Sequence, residues 1–166
     1  MDTLNKTALA DETYSVYVAG DSGPSGGPGA CAYRIIAPNG EVVEKTRLSE
    51  ETTSLKATLV GAILALKATP EGAITIVRSN VDYLTKNCVA RLEDWAKNNW
   101  HKTKGKPLEH ADLWKLLFAL IKTRTVTFRR VEGDDEQLNN KEVKALARKG
   151  AKEADRRYIA SLKRGT

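Results

Sequence analysis

Three polar segments of this chain could do chemistry. The first, Gly20-Asp21-Ser22-Gly23-Pro24-Ser25-Gly26-Gly27-Pro28-Gly29, is its densest run of backbone breakers. Glycines let backbone amides and the Ser22 and Ser25 hydroxyls approach a phosphate or sugar closely, and the same composition also suits a plain hairpin loop. It is not a P-loop, because no Gly-Lys-Ser/Thr follows it. The second, Lys97 to Pro107, carries Lys97, Lys102, Lys104 and Lys106 around Trp100, with no acid between Asp94 and Glu109. Lysines at that density suit phosphates and a salt-sensitive affinity. Trp95, Trp100 and Trp114 bracket the segment, either as its hydrophobic foot or as a surface on which a sugar stacks. The third, Gly133-Asp134-Asp135-Glu136, is acidic. Consecutive side chains seldom converge on one cation, so a solvated turn beside a helix N-terminus is the simpler expectation.

The rest of the composition sets bounds. The chain has 166 residues, enough for one domain with a sizeable core, and 41% are hydrophobic. Its formal net charge of +6 favours a polyanionic partner without naming one. No apolar run has the length of a membrane helix, and residues 1–12 are polar without a signal region. The expectation is a cytoplasmic monomer with a mobile tail over 1–12 and a single domain over 13–166, no membrane contact, and room for a protein partner. Cys31 and Cys88 lack metal-like spacing and are expected as buried free thiols.

Periodicity then places the segments on elements. Strands are expected near 13–19, 29–37 and 41–48, the last two joined at Pro38-Asn39-Gly40. Leu55, Leu59, Ile63 and Leu66 share a helical face, and that helix stops before Pro70. The apolar run 73–77 suits a strand covered on both faces. Helices follow near 81–89, 91–98 and 110–122, then a strand at 126–128. Asn139 or Asn140 could cap a last helix whose Val143, Leu146, Ala147, Ala154, Tyr158 and Leu162 share a face. The predicted fold class is α/β, with a five-stranded mixed sheet in βββαβαβα order and helices on both faces.

Several stretches, in this order and spacing, resemble a type I ribonuclease H over about residues 13 to 155. The glycine-rich turn is similar to that family's Thr-Asp-Gly-Ser and Asn-Pro-Gly-Pro-Gly segment. Thr52-Thr53-Ser54-Leu55-Lys56-Ala57-Thr58-Leu59 is similar to Thr-Thr-Asn-Asn-Arg-Met-Glu-Leu, and Arg78-Ser79-Asn80-Val81-Asp82-Tyr83-Leu84 to Ser-Thr-Asp-Ser-Gln-Tyr-Val. Trp95 through Trp114, with Lys106-Pro107 and Asp112-Leu113-Trp114, resembles the basic protrusion with which bacterial members hold hybrid duplexes. Arg130-Val131-Glu132-Gly133-Asp134 resembles Trp-Val-Lys-Gly-His, and Ala145-Leu146-Ala147-Arg148 resembles Glu-Leu-Ala-Arg.

The resemblance implies a two-metal hydrolase with four carboxylates, but those places fall on Ala19, Thr58, Asn80 and Lys144. The family's mobile histidine falls on Asp134. With no carboxylate at any of the four, neither a metal nor another cofactor is expected. Asp21 and Asp82 each lie two positions past a substituted place and Glu142 two before one, so a relocated magnesium site on Asp21 and Asp82 is the exception to test. The resemblance further implies duplex contacts at Ser22, Ser25, Thr53, Ser54, Lys97, Trp100, Lys102, Lys104 and Lys106, with Lys144 beside the phosphate. The leading expectation is a protein that binds RNA–DNA hybrid or double-stranded RNA without cleaving it. The alternatives are an interaction module that keeps only the fold, and an active hybrid endonuclease with relocated acids.

Overall fold

A computed structural model describes residues 12–165, so the tail expected over 1–12 lies almost wholly outside the described residues. Three antiparallel strands come first: β1 (Thr13–Ser22), β2 (Gly27–Ile36) and β3 (Val42–Thr52). Gly40 closes the turn between β2 and β3 at φ 89°, a conformation other residues adopt only under strain. Helix α1 (Ser54–Ala68) crosses over to β4 (Ile74–Arg78), which pairs in parallel with β1. Helices α2 (Asp82–Ala90), α3 (Leu92–Lys97) and α4 (Ala111–Lys122) precede β5 (Thr125–Arg129), which pairs in parallel with β4. Helix α5 (Gly133–Arg164) ends the chain, and the sheet order is β3-β2-β1-β4-β5.

The two-residue period of β1 divides the core. Val16 and Val18 face α1 and pack with Leu59, Leu66, Val77 and the fully buried Trp114 and Leu117. Tyr17 and Ala19 face the other way, in a smaller cluster with Ala32, Val143 and Ala147 of α5. Small residues bring α5 close to the sheet: a Cβ on Gly150 would lie 2.7 Å from Ala30 Cβ and 2.7 Å from Thr46 Cγ2. Polar ties hold the same face. Arg34 on β2 donates to Glu44 (2.6 Å), Asn139 (2.7 Å) and Glu142 (2.8 Å), linking β3 to α5. Burial alone would lower the Arg34 pKa, but its carboxylate hydrogen bonds outweigh that and raise it.

The element order is as expected, and several boundaries differ for identifiable reasons. β1 runs to Ser22 and β2 starts at Gly27, because the antiparallel ladder continues through Asp21↔Ala30 and Ser22↔Gly29. The glycine-rich segment is therefore mostly strand, with only Gly23 to Gly26 turning. Helix α5 begins at Gly133, not at Asn139 or Asn140. Asn140 is buried inside it, and Glu136 accepts a hydrogen bond from the Glu132 backbone at 3.2 Å. The acidic segment is thus the first turn of a helix, where the dipole favours negative charge. Tyr158 and Leu162 lie on the expected face but are 46% and 54% exposed. Tyr158 borders an open depression between α5 and residues Leu48, Ser49 and Glu50 of β3. Leu55 is also exposed, in the first turn of α1. Cys31 is buried and Cys88 only partly so; both are free thiols. Among the described residues no helix is long and apolar enough to cross a membrane.

Candidate nucleic-acid interface

Ala19 lies toward the carboxyl end of β1 and Asn80 just past that of β4, where open α/β sheets place their ligands. Tyr17 pairs with Arg78, so Ala19 on β1 and Asn80, beyond the end of β4, each stand two residues further along the chain. Ala19 packs against Val143 and Ala147, which flank Lys144 along α5. Gly20 seats the first turns of α1 against β1, since a Cβ there would lie 2.4 Å from Thr58 N and 2.7 Å from Ser54 O. One corner of the fold therefore gathers Ala19, Thr58, Asn80 and Lys144.

The chemistry of that corner is not that of a divalent-metal site. Ala19 offers no donor atom. The Thr58 hydroxyl, 1% exposed as a residue, donates to Ser54 O at 2.8 Å. Asn80 Oδ1 accepts from Val131 N at 3.3 Å, so it tethers the segment leading into α5. Lys144 is exposed and adds positive charge. Hard divalent ions need charged oxygen ligands, and this set supplies none.

Two of the acids that could have relocated, Asp82 and Glu142, are held by basic partners. Asp82 is bound by Arg130 at 3.2 Å and Lys86 at 3.3 Å, and Glu142 by Arg34 at 2.8 Å. Asp21 faces the later turns of α5, in a depression shared with Ser22, Lys152 and Asp155. Asp134 is exposed in the first turn of α5. Among the described residues no group of three or more histidines, cysteines or acids is arranged to hold a metal ion.

Beside this corner lie the hydroxyls named from the sequence. Ser22 Oγ donates to Gly23 O at 3.0 Å and lies 3.4 Å from Ser54 Oγ, so β1 and the start of α1 present a hydroxyl pair. Thr53 is the N-cap of α1, its hydroxyl accepting from Lys56 N at 3.1 Å. Ser25 is exposed at the turn tip, away from that pair in sequence but on the same hairpin. With the helix N-terminus behind them, these groups suit a phosphate or sugar oxygen.

The basic segment forms an arm built from α3, a short 3-10 turn at Thr103–Gly105 and the bridge His101↔Pro107. Asn98 holds it together, donating to His101 O and Lys102 O at 3.1 Å each. Lys97, Lys102, Lys104 and Lys106 are exposed, and none makes an ion pair among the described residues. The tryptophans work from beneath. Trp95 packs on Trp114 with ring centroids 5.3 Å apart, and Trp100 meets Phe118 edge-on at 5.5 Å. Trp100 is half-buried in that contact, so it positions the lysines as well as offering an edge to a ligand.

Sequence reasoning missed the polar ties beneath the site. Arg78 binds Glu136 at 2.9 Å and donates to Ser15 at 3.2 Å, joining β4, β1 and α5 below the substituted corner. Burial raises the Tyr17 pKa, against an opposing effect of the same Arg78. The only signal of these ties along the chain was an arginine inside an otherwise apolar strand.

Comparison with known proteins agrees with this architecture. A sequence model of the RNase H family matches residues 11–152. A Ribonuclease H of Chlorobium phaeobacteroides is 35% identical over 125 residues, covering 73% of this chain and 85% of that protein. The foamy viral protease-reverse transcriptase in complex with RNA/DNA hybrid superposes with a TM-score of 0.73 at 15% identity, over 86% of this chain and 20% of that one. LC9-RNase H1, a type 1 RNase H with the type 2 active-site motif, gives a TM-score of 0.70 at 19% identity, over 86% of this chain and 74% of that one. With a sequence match of that extent on this fold and this order of motifs, the chain belongs to the RNase H family.

Proposed function

We propose that this chain binds duplex nucleic acid, RNA–DNA hybrid or double-stranded RNA, without two-metal hydrolysis. The reading rests on the corner around Ala19, Thr58, Asn80 and Lys144, whose side chains are a methyl group, a hydroxyl, an amide and an ammonium with no carboxylate among them. Replacing acids by Ala19, Thr58, Asn80 and Lys144 removes repulsion beside a polyanion and adds one attractive charge. Lys144 pairs with the phosphate lying over the corner, while Ser22 and Ser54 reach neighbouring sugar or phosphate oxygens. The lysine arm grips the backbone further along, and hybrid or RNA geometry is favoured because its wide minor groove displays ribose hydroxyls. A similar fold solved in complex with an RNA/DNA hybrid supports a duplex of that kind.

Two measurements on the purified chain test this. Anisotropy titrations with labelled hybrid, double-stranded RNA and double-stranded DNA should show duplex affinity that falls steeply with salt. Incubation of labelled hybrid with magnesium or manganese should leave it intact. Cleavage that disappears in Asp21→Asn or Asp82→Asn would establish a relocated catalytic site, and no duplex binding at low salt would leave an interaction module.

A further inference from the structure

A second site lies between α2 and the outer edge of β5, in a cavity of about 400 Å³ unused by the duplex interface. Its floor is apolar, formed by Phe128, Ala90 and Val89, and Val89 is 73% exposed. Lone exposed valines are ordinary, but this one borders a concave apolar surface ringed by cations. Lys86, Arg91, Arg129 and Arg130 stand on the rim against a single acid, Asp82. Asp82 is already shared by Lys86 and Arg130. Arg91, at the end of α2, and Arg129 make no ion pair among the described residues. Arg129 is in register with Arg78 and so stands on the α5 face of β5, opposite Phe128, which leaves one guanidinium without a counter-charge on each face of the edge.

The backbone beside the cavity is also open to a partner. β5 is the last strand of the sheet. Thr125 N–H bonds Ala73 O at 3.0 Å and Arg129 O accepts from Ser79 N at 3.1 Å, both on the β4 side. The two-residue period therefore turns the N–H and C=O groups of Val126 and Phe128 outward. A strand edge without a partner strand among the described residues, an apolar seat and two unpaired guanidinium groups answer three features of one ligand.

We propose that this groove binds an extended acidic segment of a partner protein, added as a strand to the edge of β5. One aliphatic side chain of the segment sits over Phe128 and Val89, a carboxylate two residues along on the same face pairs with Arg91, and a carboxylate on an adjacent residue, facing the other way, pairs with Arg129. Charge complementarity fixes the sign of the partner, and the apolar floor separates it from nucleic acid, whose phosphates gain nothing there. The proposal is independent of whether the chain cleaves or only binds a duplex.

The test is a titration of the ¹⁵N-labelled full chain with the peptide acetyl-Glu-Asp-Leu-Val-Asp-Glu-amide, followed by amide chemical shifts. The expected result is shifts at Val89, Ala90, Val126 and Phe128. Affinity should fall about tenfold in the Arg91→Glu/Arg129→Glu double variant. Val89→Glu should weaken binding similarly, and its exposed position lets the spectrum verify an intact fold. Three outcomes overturn the proposal: no shift at those amides at millimolar peptide, equal binding of a peptide with lysines in place of its acids, or a groove that responds to a short RNA–DNA hybrid but not to the peptide.

Discussion

Single atoms decide the chemistry of the corner at the carboxyl ends of β1 and β4. Ala19 offers no donor atom, and Thr58 and Asn80 engage their oxygen atoms with Ser54 O and Val131 N. Lys144 is the one charged group in the set and is exposed, so its role is readily separated from folding. Lys144→Glu should weaken hybrid binding about tenfold, the scale expected when a charge-assisted attraction to phosphate turns into a repulsion, with the melting temperature nearly unchanged. Anisotropy at fixed salt beside a thermal melt checks both halves. Gly20 is the structural counterpart. A methyl group there meets Thr58 N and Ser54 O, backbone atoms that cannot swing aside, so Gly20→Ala should cost about 3 kcal/mol in urea denaturation.

The elements determine what those residues can reach. Helix α1 is seated on β1 through Gly20, and helix α5 is seated on the other face through Gly150 and the Arg34 network. Both helices are therefore held tightly against β1, one on each face. The lysine arm is a different kind of element. It has little core of its own, and Trp95 and Trp100 anchor it to Trp114 and Phe118. Asn99, Trp100 and Lys104 all adopt positive φ in it, a local cost that the surrounding packing must offset. Changing Lys102, Lys104 and Lys106 together to alanine should leave the fold intact. The slope of log affinity against log salt should then become shallower by about 2 to 3, as expected when three lysines no longer displace counterions from phosphates. A slope unchanged by the triple substitution would move the duplex off the arm.

Across the whole molecule, the charge balance and the buried thiols and phenols set the response to salt and pH. The net charge of +6 gives attraction to a polyanion at long range, screened within roughly 8 Å at physiological salt. Burial raises the pKa of the Cys31 and Cys88 thiols and of the Tyr17, Tyr33 and Tyr83 phenols above their ordinary values of 9.0 and 10.0. A raised folded-state pKa means that the unfolded chain loses these protons first. The stability they contribute is thus fully present below pH 9 and declines as pH climbs past 9 and 10 toward the folded values. Urea midpoints measured from mildly to strongly alkaline pH should fall over that range, and Cys88→Ala should soften the early part of the fall.

The element order and the family were legible along the chain. Those are local properties: strand and helix periods, breaker residues, and motif spacing that survives while individual side chains change. The absence of a carboxylate at Ala19, Thr58, Asn80 and Lys144 was legible in the same way. The start of α5 was not, because Gly133 with Asp134, Asp135 and Glu136 serves a turn and a first helical turn equally well until Glu136 is seen to bond back to Glu132. Tyr158 and Leu162 counted as core by period, which says which face a residue occupies and not how closely the opposing elements cover it. Whether Asp21 and Asp82 stand free to gather at the corner was a matter for the packed molecule. Their surroundings are Lys86, Arg130 and the later turns of α5, and the packing of sheet and helices sets where those partners lie. The same packing made the groove beside β5, since a cavity belongs to the space between elements and has no signature along the chain.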